Sequence, residues 1–216
     1  MRLKHVKGAE EYIASSEHVV QDYKEHKGCW NEYFGNKNPI HIEIGMGKGQ
    51  FLMQLAELNP DINYIGIERY SSVLIRAVQK KEELDLKNLI FILMDATEVC
   101  EVFGEKEIDR IYLNFSDPWP KARHAARRLP SRQFLERFRV ILSDDGQIEF
   151  KTDNRALFDF AFEEIIPGGF DMVQYTYDLH NNEEMNVGNI MTEYEHKFSA
   201  LGNKICKYII RKKICI

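Results

Sequence analysis

Between Pro39 and Gly49 a short strand, Pro39 to Ile44, breaks into glycines at Gly45, Gly47 and Gly49. No other stretch constrains the fold as strongly. Glycine lets the backbone turn sharply, and Phe51, Leu52, Leu55 and Ala56 follow at once at helical spacing. A strand must therefore pass through a tight loop into a helix whose first N–H groups stay free. The alternation then continues. Asn63 to Glu68 reads as a second strand, and Ser71 can cap a helix carrying Val73, Leu74, Ala77 and Val78 on one face. Leu89 to Leu93 is an apolar run of the kind buried on both faces of a parallel sheet. Asp109 to Phe115 and Gln147 to Thr152 supply two more strands. Between them lies a helix that Ser131 can cap, with Phe134, Leu135, Phe138, Ile141 and Leu142 facing inward, and an Asp144-Asp145-Gly146 turn. Leu157 to Ile165 makes one more helix, and segments around Met172 to Tyr177 and Ile205 to Arg211 read as strands at the far edge.

This order predicts a doubly wound α/β sheet, mostly parallel with an antiparallel edge strand, binding its ligands beyond the carboxyl ends of the strands. Residues 1–216 read as one domain with a helical extension over about 1–38, where the expected helix runs from about Ala9 to Glu25. A chain of 216 residues, 44% hydrophobic, can bury one substantial core. Met1 to Glu10 contain no apolar signal region, and no run approaches the roughly 18 apolar residues of a membrane span. The expectation is a cytoplasmic protein without membrane contact. Cys29, Cys100, Cys206 and Cys215 fit no zinc or C-x-x-C spacing and the histidines are scattered, so idle reduced thiols and no metal are expected.

The net charge of −5 argues against a protein that coats nucleic acid, but its distribution is uneven. From Lys121 to Arg139 run Lys121, Arg123, Arg127, Arg128, Arg132, Arg137 and Arg139, with Glu136 as the sole acid. Such a stripe is either one anchoring place for a polyanion or a solvated helix face.

Three acids follow the first three strands: Glu43 within the glycine loop, Glu68, and Asp95 with Ala96 beside it. A dinucleotide fingerprint requires G-x-G-x-x-G, yet Gln50 stands where the third glycine belongs, and no P-loop string occurs. The loop has instead the E-x-G-x-G-x-G form found in class I methyltransferases. A carboxylate at Glu43 would repel a pyrophosphate, whereas S-adenosylmethionine presents an ammonium and a sulfonium. Glu68 can accept from ribose hydroxyls and Asp95 from an adenine amino group. Each acid could equally cap the next helix, and Glu68 would also serve NAD.

The fourth strand runs into Ser116-Asp117-Pro118-Trp119-Pro120-Lys121, followed by Arg123, His124, Arg127, Arg128 and Leu129. This string resembles the signature of the bacterial tRNA (guanine-N7)-methyltransferase family, close to S-D-P-W-P-K-x-R-H-x-x-R-R-L, at every fixed position. Lys7-Gly8-Ala9, Lys151-Thr152-Asp153-Asn154 and Thr192-Glu193-Tyr194-Glu195 before Lys197-Phe198 are similar to the family too. Ala122 departs from it, since many relatives carry a second lysine there. The resemblance implies a Rossmann-like class I fold, S-adenosylmethionine as donor, S-adenosylhomocysteine (SAH) as product, and the variable-loop guanine at tRNA position 46 as target. It implies that Glu43, Gly45, Gly47, Gly49, Glu68, Asp95, Ala96 and Asp117 line the donor site. Lys121, Asp153, Thr192, Glu193, Tyr194 and Glu195 would meet the guanosine, and Arg123, His124, Arg127 and Arg128 the RNA. Relatives occur as monomers and as homodimers.

Guanine N7 has an in-plane lone pair and no proton, so its attack on a sulfonium methyl requires no general base. Positioning and carboxylates facing the developing cation suffice, and Asp117 is the candidate for that catalytic role. Which acid reads the guanine edge is open between Asp153 and Glu195. Asp153 could merely cap a helix, and Thr192 with Glu195 has capping-box spacing. Three other classes remain: a methyltransferase for a different RNA or a small molecule, a non-catalytic RNA-binding module, and an NAD-dependent oxidoreductase.

Overall fold

The computed structural model describes residues 6–213, so Met1 to His5 and Cys215 lie outside the described residues. Seven strands form one sheet in the order β3-β2-β1-β4-β5-β7-β6. They are β1 (Ile40–Ile44), β2 (Asn63–Glu68), β3 (Leu89–Leu93), β4 (Ile108–Asn114), β5 (Leu142–Thr152), β6 (Phe170–Thr176) and β7 (Cys206–Lys212). Strands β1 to β5 pair in parallel, and β7 runs antiparallel to both β5 and β6. The sheet is mostly parallel, and the antiparallel strand sits one place in from the edge. Strand order reverses between β1 and β4, which sets the loops after Ile44 and Asn114 side by side at a switch point.

Period-two alternation sends successive side chains to opposite faces. Ile65, Ile67, Ile90 and Ile92 join a core with helices α5 (Val99–Val102), α6 (Arg132–Ile141) and α7 (Arg155–Glu164). Tyr64, Leu89 and Phe91 point the other way, to α1 (Ala9–Ser15), α3 (Gln50–Leu58) and α4 (Ser71–Lys81). Strand β5 begins at Leu142 and runs through Asp144 to Gly146, where a turn was expected. A Cβ on Gly146 would lie 2.7 Å from Leu142 Cγ, so glycine lets the strand pass close over its own beginning.

The N-terminal segment departs from expectation. Its helix stops at Ser15 instead of continuing to Glu25, because Ser16 turns extended and the β-branched Val19 and Val20 follow. Val19 forms a single parallel bridge to Phe91 at the open edge of β3. Val20 N–H donates to Phe91 O at 3.0 Å and Phe91 N–H to His18 O at 2.9 Å. A second short helix, α2 (Trp30–Phe34), inserts Trp30 fully into the core, its indole N–H bonded to Val102 O at 3.0 Å. Glu107 holds this segment in place by accepting the N–H groups of Gly28, Trp30 and Gly104 at 3.0, 2.9 and 2.7 Å. Ser71 is the first residue of α4 and does not cap it. Ser131 occupies the N-cap position of α6 without a side-chain bond into the helix.

Candidate active site

The loop after β1 takes its path from its glycines. Gly45, Gly47 and Gly49 all have positive φ, 78°, 61° and 76°, in the left-handed region that bulkier residues avoid. The N–H groups of Gly45 and Met46 both donate to Ile67 O, at 2.9 and 3.1 Å, folding the loop over the end of β2. Glu43, at the head of the loop, is 2% exposed. Its Oε1 accepts from Asn114 Nδ2 at 2.8 Å, while its Oε2 is buried without a partner. Burial pushes this carboxyl up to about 7, against the Asn114 bond and the positive charge of Lys151. An unpaired buried carboxylate oxygen is costly, and a cationic ligand beside it would remove the cost.

Glu68 accepts from Gly47 N–H at 3.1 Å through one oxygen and from Arg69 and Tyr70 N–H at 2.7 and 2.9 Å through the other. Burial raises its pKa, those backbone bonds oppose the rise, and the nearby charge of Asp117 adds to it. The loops after β1, β2 and β4 therefore converge. Asp95 accepts from Thr97 N–H and Oγ1 at 2.9 and 2.8 Å, capping the turn that begins at Ala96, and lies 3.4 Å from Arg69. Partial burial works against its ionisation, but the Thr97 bonds and Arg69 outweigh it and hold the carboxyl below its ordinary range.

The loop after β4 is held in an unusual shape. Phe115 and Trp119 have φ of 51° and 41°, and non-glycine residues in that region cost about 1–3 kcal/mol each unless their surroundings hold them. Arg128 supplies much of that hold: its guanidinium donates to Pro118 O and Trp119 O at 3.0 Å each and packs over Phe160 at 4.3 Å. Arg127 lies over the Trp119 ring at 5.2 Å, and His124 meets it edge-on at 5.6 Å. Asp117, Lys121 and Arg123 are exposed, and the buried Ser116 hydroxyl has no partner.

The third component is α8 (Glu193–Ser199). Thr192 caps it by accepting from Glu195 N–H at 3.0 Å. Glu195 does not complete the capping box: it is fully buried, 2.7 Å from Lys151 Nζ, and its other oxygen meets Asn189 Nδ2 and His180 Nε2, each at 2.9 Å. Glu193 bonds Lys48 of the glycine loop at 3.0 Å and Lys80 of α4 at 2.6 Å. Tyr194 lies between Phe115 and Phe198, with ring centroids 4.9 and 4.1 Å away. Asp153 is free of capping, because Asn154 accepts from Leu157 N–H in its place. Asp153 accepts from Asn203 at 2.9 Å, and its charge, after burial, raises the Tyr194 phenol pKa.

Thus Glu43, Glu68 and Asp117 gather at the switch point, with Asp153 and Tyr194 beyond. Sequence reading gave no role to Asn114, Ser116, Lys151 or His180, although Ser116 and Lys151 stand within the motifs it quoted; a lysine inside the buried end of β5 was the one available signal. Among the described residues no group of three or more His, Cys, Asp or Glu is placed to hold a metal, and no helix is long and apolar enough to cross a membrane.

Comparison with known proteins identifies the family. Residues 37–208 match the profile of a family described as putative methyltransferase. A tRNA (guanine-N(7)-)-methyltransferase of Lachnoclostridium phytofermentans is 55% identical over 209 residues, covering 97% of each chain. The protein of that name from Bacillus subtilis is 46% identical over 206 residues, 95% of this chain and 96% of its own. Among solved structures, an antibiotic-related methyltransferase superposes with a TM-score of 0.64 at 20% identity, covering 88% of this chain and 94% of its own. The 16S rRNA methyltransferase KamB does so with 0.65 at 10% identity, covering 86% and 93%. These two show the class I methyltransferase fold alone. Near-full-length identity, the glycine loop with its buried acid and the loop from Ser116 to Leu129 together make this chain a member of the tRNA (guanine-N(7)-)-methyltransferase family.

Proposed function

We propose that this chain methylates N7 of a guanine in tRNA, the variable-loop guanine at position 46, in the cytoplasm, using S-adenosylmethionine. The observation that carries the reading is the unpartnered buried oxygen of Glu43 at the head of a loop whose three glycines leave the backbone open to close approach. The donor set suits that ligand: Glu43 takes an ammonium, Glu68 the ribose hydroxyls, and Asp95 with Ala96 the adenine edge, while Gly45, Gly47 and Gly49 allow close contact. When bound, S-adenosylmethionine supplies an electrophilic methyl group and leaves as SAH.

The chain's own residues then have little covalent work. N7 needs no base, so catalysis consists of holding the ring in line and opposing its growing positive charge. Asp117, exposed beside Glu68, is the carboxylate for that charge. Asp153 accepts from the guanine N1–H and amino group, with Thr192 and Tyr194 alongside and Lys121 donating from the loop. Glu193 and Glu195 hold this segment in shape through their lysine partners. Arg123, His124 and Arg127 meet phosphates of a loop whose target base must leave its stack to reach the donor. Arg128 is committed to the Pro118 and Trp119 carbonyls and acts by fixing the loop.

The test is methyl transfer from labelled S-adenosylmethionine to unmodified bulk tRNA, followed by nucleoside analysis. We expect 7-methylguanosine from the wild-type chain and none from Asp117→Ala. SAH binding without any 7-methylguanosine would leave the fold standing and remove the acceptor.

A further inference from the structure

Lys151 stands near the carboxyl end of β5, beside Asn114 of β4 and Lys207 of β7 in register. Its neighbour Phe150 enters the apolar core, so alternation sends Lys151 to the opposite face, where its ammonium is nonetheless buried. Burial pulls its pKa down, and Glu195 opposes that pull. A cation so placed needs all of its donors satisfied. They are: Asn189 Oδ1 at 3.2 Å, Ile190 O at 2.9 Å and Glu195 Oε2 at 2.7 Å. Every one of those partners belongs to residues 189–195. Glu195 passes the restraint on, through Asn189 and His180 and through its own N–H to Thr192.

We propose that Lys151 is a positioning residue for the acceptor: it fixes the 189–195 segment so that Thr192 and Tyr194 stand beside Asp153. Glu195, fully buried with both oxygens engaged, acts through this lysine, and Asp153 reads the base. Packing alone does not require the pair, since apolar side chains of similar volume replace a buried ion pair without loss in many proteins. The lysine also adjoins the donor half. Its cross-strand neighbour Asn114 holds Glu43, and its ammonium lies 5.1 Å from the ring of Phe51 on α3. This role rests on the tRNA reading above.

The experiment compares Lys151→Met with the double variant Lys151→Met/Glu195→Met in the full chain. Steady-state methylation of tRNA, SAH calorimetry and Tm are measured for each. We expect KM for tRNA to rise about tenfold or more in both, with SAH Kd held within about twofold. The double variant should regain most of the Tm lost by the single one, because no charge is left buried alone, yet keep the raised KM. Recovery of KM together with Tm, or SAH Kd moving in step with KM, would overturn the proposal. Should Lys151→Met not fold, a wild-type KM in the double variant overturns it alone. A wild-type chain that forms no 7-methylguanosine refutes the acceptor reading itself, which is a separate failure.

Discussion

Replacing Glu43 by glutamine puts a number on what the donor loop costs the fold. Burial shifts this carboxyl from 4.5 to about 7. Each pKa unit corresponds to about 1.4 kcal/mol, so keeping Glu43 ionised without a ligand costs about 3 kcal/mol. The folded value is the higher one, so the stability contribution is complete below the unfolded pKa near 4.5 and is lost as pH rises through the folded value near 7. The amide retains the Asn114 bond and carries no charge. Urea unfolding without ligand should therefore find Glu43→Gln nearly equal to wild type near pH 4 and more stable by up to about 3 kcal/mol near pH 8. Ligand reverses the preference, since the ammonium of SAH favours the carboxylate. Wild-type affinity for SAH should rise about tenfold from pH 6 to pH 8, with about half a proton released at pH 7, while the variant binds weakly at every pH. A stability difference between the two proteins that is the same at pH 4 and pH 8 would refute the reasoning.

The two adjacent arginines should fail differently in steady-state kinetics at several salt concentrations. Arg127→Ala should raise KM for tRNA and flatten its salt dependence, because a phosphate contact is lost. Arg128→Ala should lower kcat about tenfold by releasing the Pro118 and Trp119 carbonyls; identical profiles for both would sink the distinction. Trp30→Ala should cost about 3–5 kcal/mol in thermal unfolding, since a fully buried indole and its bond to Val102 are removed together. Gly66→Ala should destabilise by about 1–3 kcal/mol, as its Cβ would strike Met46 and approach Phe91 Cδ1 to 2.9 Å. A Tm within experimental error of wild type would contradict either estimate.

What was legible in the chain is what local chemistry controls. The glycines at Gly45, Gly47 and Gly49 foretold a sharp turn, which the chain makes with three positive φ angles, and the apolar run Leu89 to Leu93 foretold a strand covered on both faces, although that strand stands at the edge of the sheet. Alternation of strands and helices was enough to predict a doubly wound sheet, though not its strand order. The misreadings are of two kinds, shifts by one residue and partners remote in sequence. Ser71 looks like a cap, yet Tyr70 holds that position; for Asp153 the capping alternative falls away, because Asn154 caps the helix. Thr192 and Glu195 have capping-box spacing, but a buried lysine 44 residues away takes the carboxylate. The N-terminal helix was drawn too long because nothing near Val19 announces that the edge of β3 will receive it.

The way that segment is held has a consequence for synthesis. Trp30 finds its indole acceptor at Val102, 72 residues later, and Glu107 stands still farther along the chain. At roughly 5–20 residues per second, the segment around Trp30, made earlier, must wait several seconds for the surface it docks on. Emergence order and docking order are thus opposed. The strand edge at β3 is covered only when His18, Val19 and Val20 come back to it. Until then a half-made chain offers an unpaired edge to its neighbours on the polysome, and the time to codon 107 sets how long that exposure lasts.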